Sequence, residues 1–382
     1  MQKQGVYTAE ARTAQGSERK GASQPEYAGL LCGLCVSAAK FFGRPQGAML
    51  RGRAVRRAQG AMLLVLLLAL AGCAPAATPA PGKPMSDITI AMGYIPNVQF
   101  APFYIAQEKG YFAAEGLTVK FDYGFEADLI KLLATDKLQF VVGSGDQVIL
   151  ARSQGLPIVY VLQWYRQFPV SVVSLAEKGI ARPADLIGKT VGTPMLAGAS
   201  YVGWKALTQA AGLPEAKINL QVVGYAQLAS LTEGKVDAAI CYIVNEPVQL
   251  RSMGRPVNEM LVSDYADIVS NGLLTNEKSV KERPALVGGL ARALQKGIAD
   301  AIANPAEAFE ICLKAVPEAG GDNRALQEAV LKRSIELWRA EQIGASQRAS
   351  WVASQEYMAK AGLIDATSDV DKMFTNQFVT GK

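Results

Sequence analysis

Histidine is absent from all 382 residues of this chain. The imidazole is the commonest general base near neutral pH and a frequent zinc ligand. Its absence disfavours serine triads, zinc proteases and other chemistry that depends on an imidazole. We therefore expect a protein that is not an enzyme, with no catalytic residues, no metal site and no cofactor.

Cysteine is scarce, with five in the whole chain. Cys32 and Cys35 form a C-x-x-C pair, but without a second pair or a nearby histidine this is weak evidence for zinc or redox chemistry. Further along the chain, a disulfide between Cys241 and Cys312 is possible but not required. Because Cys241 lies in an apolar, strand-like run, a buried free thiol is favoured there.

Excess positive charge is confined to the first part of the chain. The net charge is +5, yet ten of the 39 basic residues and three of the 34 acidic residues precede Cys73. The remaining 29 basic and 31 acidic residues give the rest of the chain a net charge of −2. That balance predicts no basic surface for nucleic acid.

A membrane-spanning run is also missing. The apolar residues 61–71 are too few to cross a bilayer, which takes roughly 20 residues. Four arginines precede them between positions 51 and 57, and the run ends in Leu70-Ala71-Gly72-Cys73. This order is typical of a secretory signal, and the last four residues resemble the bacterial lipobox. We expect lipid on Cys73 and a protein anchored to the extracytoplasmic face of the cell membrane.

Composition divides the chain into segments. Met49 opens a compact signal peptide, whereas the polar residues before it do not fit that pattern. An Ala/Pro-rich stretch after Cys73 reads as an extended tether. The predicted organisation is an N-terminal extension outside the native protein (1–48), a signal peptide (49–72), a tether (73–86), the first part of lobe one (87–172), lobe two (173–269), and the completion of lobe one with C-terminal helices (270–382).

Strand-like and helix-like segments alternate along the rest of the chain. One cycle runs over residues 88–162, and a second begins at residue 189. This alternation predicts an α/β fold of two Rossmann-like lobes with parallel sheets covered on both faces. Two crossings between the lobes would create a hinge and a cleft. Helices are predicted near the C-terminus over 285–303, 305–314, 323–337 and 348–361.

Several short motifs resemble a known family, the thiamine-precursor-binding proteins, which belong with the solute-binding proteins of ABC importers. Taurine and alkanesulfonate binders share a related opening. The resemblance covers nearly all of residues 87–380. The matching segments are GYIPN at 93–97, APFYIA at 101–106, KGYF at 109–112, EGL at 115–117, GSGD at 143–146, DLIGKTVG at 185–192 and GKVDA at 234–238.

The resemblance implies a periplasmic-binding-protein-like fold and capture of a flat heterocyclic vitamin, either riboflavin or a thiamine pyrimidine precursor. The partners it implies are that small molecule and an ABC permease in the membrane, with the protein acting as a monomer. Binding of a sulfonate such as taurine is the alternative. A pyrimidine-synthesis enzyme is a further alternative, against which stands the lack of the cysteine-rich run of the yeast members.

Two loops at predicted helix starts carry candidate ligand contacts. Ser144 and Asp146 lie between a strand and a helix, where open α/β sheets bind ligands; either one could instead cap that helix. Gly198 and Ser200 lie in a second loop, whose free N–H groups favour anions or polar ligand edges. Residues 193–203 contain no Lys or Arg, which argues against a strongly anionic ligand.

A third loop places Asn245 and Glu246 after a strand. Asn245 could cap the next helix, whereas the sequence reveals no structural role for Glu246. An adjacent amide and carboxylate can donate to and accept from an aminopyrimidine or isoalloxazine edge. Aromatic residues near strand ends, with Trp164 and Trp204 near the rim, predict a cleft that stacks on a flat ring. The candidate ligand-binding residues are Tyr94, Asn97, Phe100, Ser144, Asp146, Trp164, Gly198, Ser200, Tyr201, Tyr225, Asn245 and Glu246.

Overall fold

The computed structural model describes residues 85–379. The predicted extension, the signal peptide, Cys73 and most of the tether lie outside the described residues. Within residues 85–379, no helix is both long and apolar enough to cross a membrane.

Ten strands in the described residues form two sheets of five strands each. Short apolar runs that end at Gly or at polar residues form most of them. The strands are β1 (Ser86–Met92), β2 (Leu117–Tyr123), β3 (Phe140–Ser144), β4 (Ile158–Gln163), β5 (Val170–Leu175), β6 (Thr190–Thr193), β7 (Asn219–Val222), β8 (Ala238–Tyr242), β9 (Val257–Leu261) and β10 (Asn271–Asn276).

Helices follow most strands and cover the sheets. The four predicted C-terminal helices are confirmed to within two residues at each end. The helices are α1 (Ala101–Glu108), α2 (Tyr111–Ala114), α3 (Glu126–Ala134), α4 (Gly145–Ser153), α5 (Gly198–Ala210), α6 (Gln227–Thr232), α7 (Glu246–Ser252), α8 (Glu277–Glu282), α9 (Pro284–Ala303), α10 (Pro305–Ala315), α11 (Arg324–Trp338) and α12 (Arg348–Lys360).

The two sheets repeat one pattern, with strand orders β2-β1-β3-β10-β4 and β7-β6-β8-β5-β9. In each, four strands run in one direction and the fifth runs antiparallel to both of its neighbours. That strand is β10 in the first sheet and β5 in the second. The prediction of parallel sheets was therefore wrong for these strands. Each is the first strand after a crossing between the sheets. It therefore begins beside the carboxyl ends of the other strands and runs in the opposite direction.

The crossings lie at residues 164–169 and 262–270, between the strands of one sheet and those of the other. They divide the described residues into two lobes, and this confirms the predicted α/β class. The second sheet occupies residues 170–261; the predicted lobe bounds at 173 and 269 themselves stay a prediction.

Buried apolar side chains fill each lobe. Both β3 and β10 are buried along their whole length in the first sheet, as expected for strands covered on both faces. Helix α9 packs closely on α1 at Gly297, which has no Cβ. A Cβ at this position would lie 2.1 Å from the carbonyl oxygen of Pro102. Cys241 and Cys312 are both free and buried, which confirms the expectation of a buried free thiol at Cys241.

Candidate ligand-binding site

A cleft lies between the lobes, at the carboxyl ends of their parallel strands. Loops after β1 and β2 line it from the first lobe, and loops after β6, β7 and β8 line it from the second. Open α/β sheets bind ligands at such strand ends. The lining residues are Gly93, Tyr94, Gln99, Phe100, Glu126, Val142, Trp164, Pro194, Met195, Ala197, Gly198, Ala199, Ser200, Tyr225, Gln227, Tyr242, Asn245, Glu246 and Asn271.

Stacked aromatic rings form the first-lobe wall of the cleft. The ring centroids of Phe100 and Trp164 are 5.3 Å apart with an interplanar angle of 21°. The ring of Tyr165 also stacks on Trp164, with centroids 4.2 Å apart and an interplanar angle of 16°. The Tyr165 hydroxyl is 2.9 Å from Gln99 Oε1 and donates to it. This packing fixes the rings in place, so the wall presents a rigid apolar surface to a flat ligand.

Five polar atoms of the cleft are buried and have no hydrogen-bond partner among the described residues. A buried polar group without a partner costs free energy, so this cluster is best explained by a ligand that supplies the missing partners. Four are acceptor oxygens and one is an N–H donor. The atoms are Trp164 Nε1, Gln227 Oε1, Asn245 Oδ1, Glu246 Oε2 and Asn271 Oδ1.

Glu246 is the first residue of α7 and is buried. Burial raises the pKa of its carboxyl to about 7, and the Cys241 thiol and the backbone N–H groups of Glu246 and Tyr242 oppose that rise. The sequence revealed no such partners. One oxygen of Glu246 is thus engaged by the protein, and the other remains for a ligand.

A second buried carboxylate, Glu126, reaches across the cleft from the first lobe. Its Oε1 accepts hydrogen bonds from the backbone N–H and from the hydroxyl of Ser144, the latter at 2.7 Å. Its Oε2 lies 3.5 Å from the backbone nitrogen of Ala199, in the second lobe. Burial raises the pKa of the Glu126 carboxyl, and these hydrogen bonds oppose that rise.

Eight of the twelve candidate residues line the cleft, and their contact with a ligand stays a prediction. They come from both lobes and from the segments that follow five different strands, which only the fold brings together. The eight are Tyr94, Phe100, Trp164, Gly198, Ser200, Tyr225, Asn245 and Glu246.

The other four candidates do not line the cleft. Asn97 accepts a hydrogen bond from the backbone N–H of Gln99 at 3.0 Å, and Ser144 is held by Glu126. Asp146 is fully buried, and Gln147 donates to its Oδ2 at 2.8 Å. Tyr201 is half-buried and packs against the core of the second lobe.

The structure decides two alternatives that the sequence left open and corrects one prediction, the position of Trp204. Neither Ser144 nor Asp146 caps α4 through its side chain, and Asn245 does not cap α7. In place of a cap, the Ser144 hydroxyl bonds to Glu126. Trp204 is 1% exposed in the core of the second lobe and is not at the rim.

Sequence reasoning missed several polar residues of the cleft, among them Gln99, Glu126, Gln227 and Asn271. Glu126 and Gln227 each open a helix directly after the loop that follows a strand, and this position was a usable signal. Asn271 starts β10, and that strand was not predicted.

The family follows from comparison with known sequences. Residues 97–308 match the model of the family described as NMT1/THI5 like. The chain belongs to the NMT1/THI5-like family. The predicted resemblance to thiamine-precursor-binding and related proteins is thereby confirmed.

Two relatives are named as binding proteins. The riboflavin-binding protein RibY of Chloroflexus aurantiacus is 41% identical over 81% of this chain and 91% of its own length. A formylaminopyrimidine-binding protein of Halalkalibacterium halodurans is 32% identical over 72% of this chain and 83% of its own. Relatives at 21–22% identity are named as 4-amino-5-hydroxymethyl-2-methylpyrimidine phosphate synthases, for example in Legionella pneumophila.

Solved structures share the fold. The alkanesulfonate-binding protein SsuA of Xanthomonas axonopodis pv. citri, bound to MOPS, superposes with a TM-score of 0.62 over 77% of this chain and 99% of its own. At 12% identity this likeness concerns the fold alone. The chain thus has the two-lobed fold of periplasmic binding proteins, as predicted.

Proposed function

We propose that this chain is the solute-binding component of an ABC importer and that its solute is riboflavin. In this role it captures the vitamin between its lobes outside the cytoplasm and delivers it to a permease. It acts as a monomer, tethered to the membrane by lipid on Cys73. The chain binds the vitamin without altering it, consistent with a sequence that contains no histidine.

The observation that carries this proposal is the combination of a stacked aromatic wall with five unpaired polar atoms in one cleft. Isoalloxazine is a flat, largely apolar ring system that can pack against the wall formed by Phe100 and Trp164. Its ring N–H and the hydroxyl groups of the ribityl chain are donors, as four unpaired acceptor oxygens require. The identity of 41% to a riboflavin-binding protein supports the same choice.

A formylated aminopyrimidine is the second candidate. Its amino and formamide N–H groups can donate to Asn245 and Glu246, and a relative at 32% identity is named for this ligand. It is smaller and has fewer donors than riboflavin, so it pairs fewer of the five atoms. A sulfonate is disfavoured, because the lining contains two carboxyl side chains and no Lys or Arg.

The test is to purify the full chain in detergent without added ligand and to examine it by visible absorbance and mass spectrometry. A co-purified flavin is expected. After ligand removal, riboflavin and a formylaminopyrimidine are titrated in parallel by calorimetry. Tight binding of riboflavin alone supports the proposal, whereas binding of the pyrimidine alone selects the second candidate. Release of a chemically changed pyrimidine would establish an enzyme instead.

A further inference from the structure

Glu126 lies where the N-terminal ends of two helices meet. Ser144 immediately precedes α4 in the first lobe, and Ala199 is the second residue of α5 in the second lobe. Both donate backbone N–H groups toward the Glu126 carboxylate. The ends of such helices carry partial positive charge and free N–H groups, and they favour anions. The protein therefore places a carboxyl group of its own at this point.

Small residues make room for that carboxylate. A Cβ on Gly143 would lie 3.0 Å from Glu126 Oε1, and a Cβ on Gly198 would lie 3.3 Å from Glu126 Oε2. Gly198 also has a φ of +74°, which side-chain-bearing residues rarely adopt. Glycine at these two positions lets the carboxylate lie directly against both lobes.

The surroundings of Glu126 contain further acidic side chains, and the cleft lining provides no positive charge. Asp146 is fully buried nearby, and burial together with the Glu126 charge raises the pKa of the Asp146 carboxyl to about 7. Glu246 lines the same cleft from the second lobe. The lining contains no Lys or Arg to balance a further anion.

We propose that Glu126 determines which ligand charge the cleft accepts. Its carboxylate takes the position at α4 and α5 that an acidic group of a ligand would occupy. The cleft therefore selects the neutral vitamin over its phosphate ester. This inference rests on the proposed function for the identity of the ligand, but the role of Glu126 at α5 does not depend on it. Glu126 thus acts as a residue that determines specificity.

The first test compares riboflavin with its 5′-phosphate ester on the unaltered protein, by quenching of flavin fluorescence. Like charges forced together in a dry site oppose binding strongly, so we expect riboflavin to bind at least about a hundredfold more tightly than the ester. Equal affinity for the two flavins would overturn the proposal without recourse to any variant.

Variants then test whether the preference for riboflavin over its phosphate ester depends on the Glu126 carboxylate. Glu126→Gln keeps the shape without the charge and should narrow the ratio of the two affinities by about tenfold or more. Asp128→Asn removes an exposed carboxylate from the same helix, where Asp128 pairs with Lys131, and should leave the ratio unchanged. Glu246→Gln should weaken both flavins alike. A Glu126→Gln protein that keeps the wild-type ratio would contradict the proposal.

A measurement without vitamin separates this inference from the proposed function. Amide hydrogen exchange at the start of α5 should be faster in Glu126→Gln than in the wild type or Asp128→Asn, because the N–H of Ala199 loses a charged acceptor. Sodium sulfate, compared with chloride at equal ionic strength, should slow that exchange in Glu126→Gln alone. Unchanged exchange would overturn the role of Glu126, whatever the flavins do. If neither flavin binds the wild type but exchange responds as expected, the proposed ligand is wrong and the anion position stands.

Discussion

The rings of Phe125 in the first lobe and Tyr225 in the second stack on each other, with centroids 5.1 Å apart and an interplanar angle of 21°. Phe125 immediately precedes α3 in the first lobe, and Tyr225 follows β7 in the second. Tyr94, also in the first lobe, meets the same Tyr225 ring edge-to-face at 4.8 Å. Tyr225 is thus held between two rings of the opposite lobe, and both contacts must break when the lobes separate.

Phe125→Ala should favour the open arrangement. Phe125 does not line the cleft, so this change removes a contact between lobes and no predicted ligand contact. An aromatic pair contributes about 0.5–1.5 kcal/mol beyond its buried area, so the affinity for riboflavin should fall roughly two- to tenfold. Small-angle scattering of the ligand-free protein should show a larger radius of gyration.

Leu132→Ala is the matched control for this change. Leu132 is an exposed apolar residue on the same helix, at 36% exposure compared with 42% for Phe125. Scattering profiles that agree among the wild type and both variants, with and without riboflavin, would rule out closure through Phe125.

Trp164→Phe should weaken riboflavin binding while it preserves a ring in the wall. Trp164 stacks on Phe100, and its Nε1 is buried without a partner among the described residues. Loss of one hydrogen bond to the ligand should lower affinity roughly two- to tenfold, and bound riboflavin should be quenched less. Trp204→Phe, in the core of the second lobe, should match the wild type in both measurements. Equal effects of the two substitutions would place the ligand elsewhere.

Loops that follow recognisable strands made much of the cleft predictable. Asn245 and Glu246 follow β8, in a loop that the sequence places after a strand. Glu126 was not predicted, because an acidic residue in the first turn of a helix is ordinary. Its contact with Ala199 lies 73 residues further along the chain, and only the fold shows it.

The antiparallel strands could not be predicted for a different reason. All six residues of β5 are buried, so its sequence lacks the alternation that marks a half-buried strand. The sequence of β10, Asn-Gly-Leu-Leu-Thr-Asn, begins and ends with residues typical of turns. It forms a strand because it lies between β3 and β4, and no local pattern encodes that position.

Cys73→Ser tests the membrane anchor, which lies outside the described residues. The basic segment, the apolar segment and the Leu-Ala-Gly-Cys sequence predict cleavage before Cys73 and lipid on its thiol. Without that thiol the protein should stay uncleaved or leave the membrane fraction. Mass spectrometry of the native protein checks the prediction. Residues 49–72 retained on an unmodified Cys73 would contradict it.

Glu246→Gln should reduce affinity for riboflavin. The carboxylate Oε2 has no partner among the described residues, and the substitution replaces an acceptor with an NH₂ donor. Loss of a charge-assisted hydrogen bond costs about 1.5–3 kcal/mol, or roughly ten- to a hundredfold in affinity. Calorimetry with riboflavin measures the change. Glu259→Gln, which alters a carboxylate that pairs with Arg251 outside the cleft, is the control and should bind normally. Unchanged binding by Glu246→Gln would remove this residue from the site.

Glu246 should also make the ligand-free protein less stable as the pH rises. Burial raises the pKa of this carboxyl from 4.5 to about 7 in the folded protein, so between these values the folded state binds a proton that the unfolded state has released. The free energy of unfolding should therefore be highest below pH 4.5 and fall as the pH rises through 7, by about 3 kcal/mol for this one group. Asp146 acts in the same direction, since its pKa is also raised to about 7. Urea unfolding from pH 5 to 8 should accordingly show a shallower decline for Glu246→Gln than for the wild type, with the variant more stable at pH 8. If the free energy of unfolding changed with pH equally in the two proteins, Glu246 would not be the source of the pH dependence.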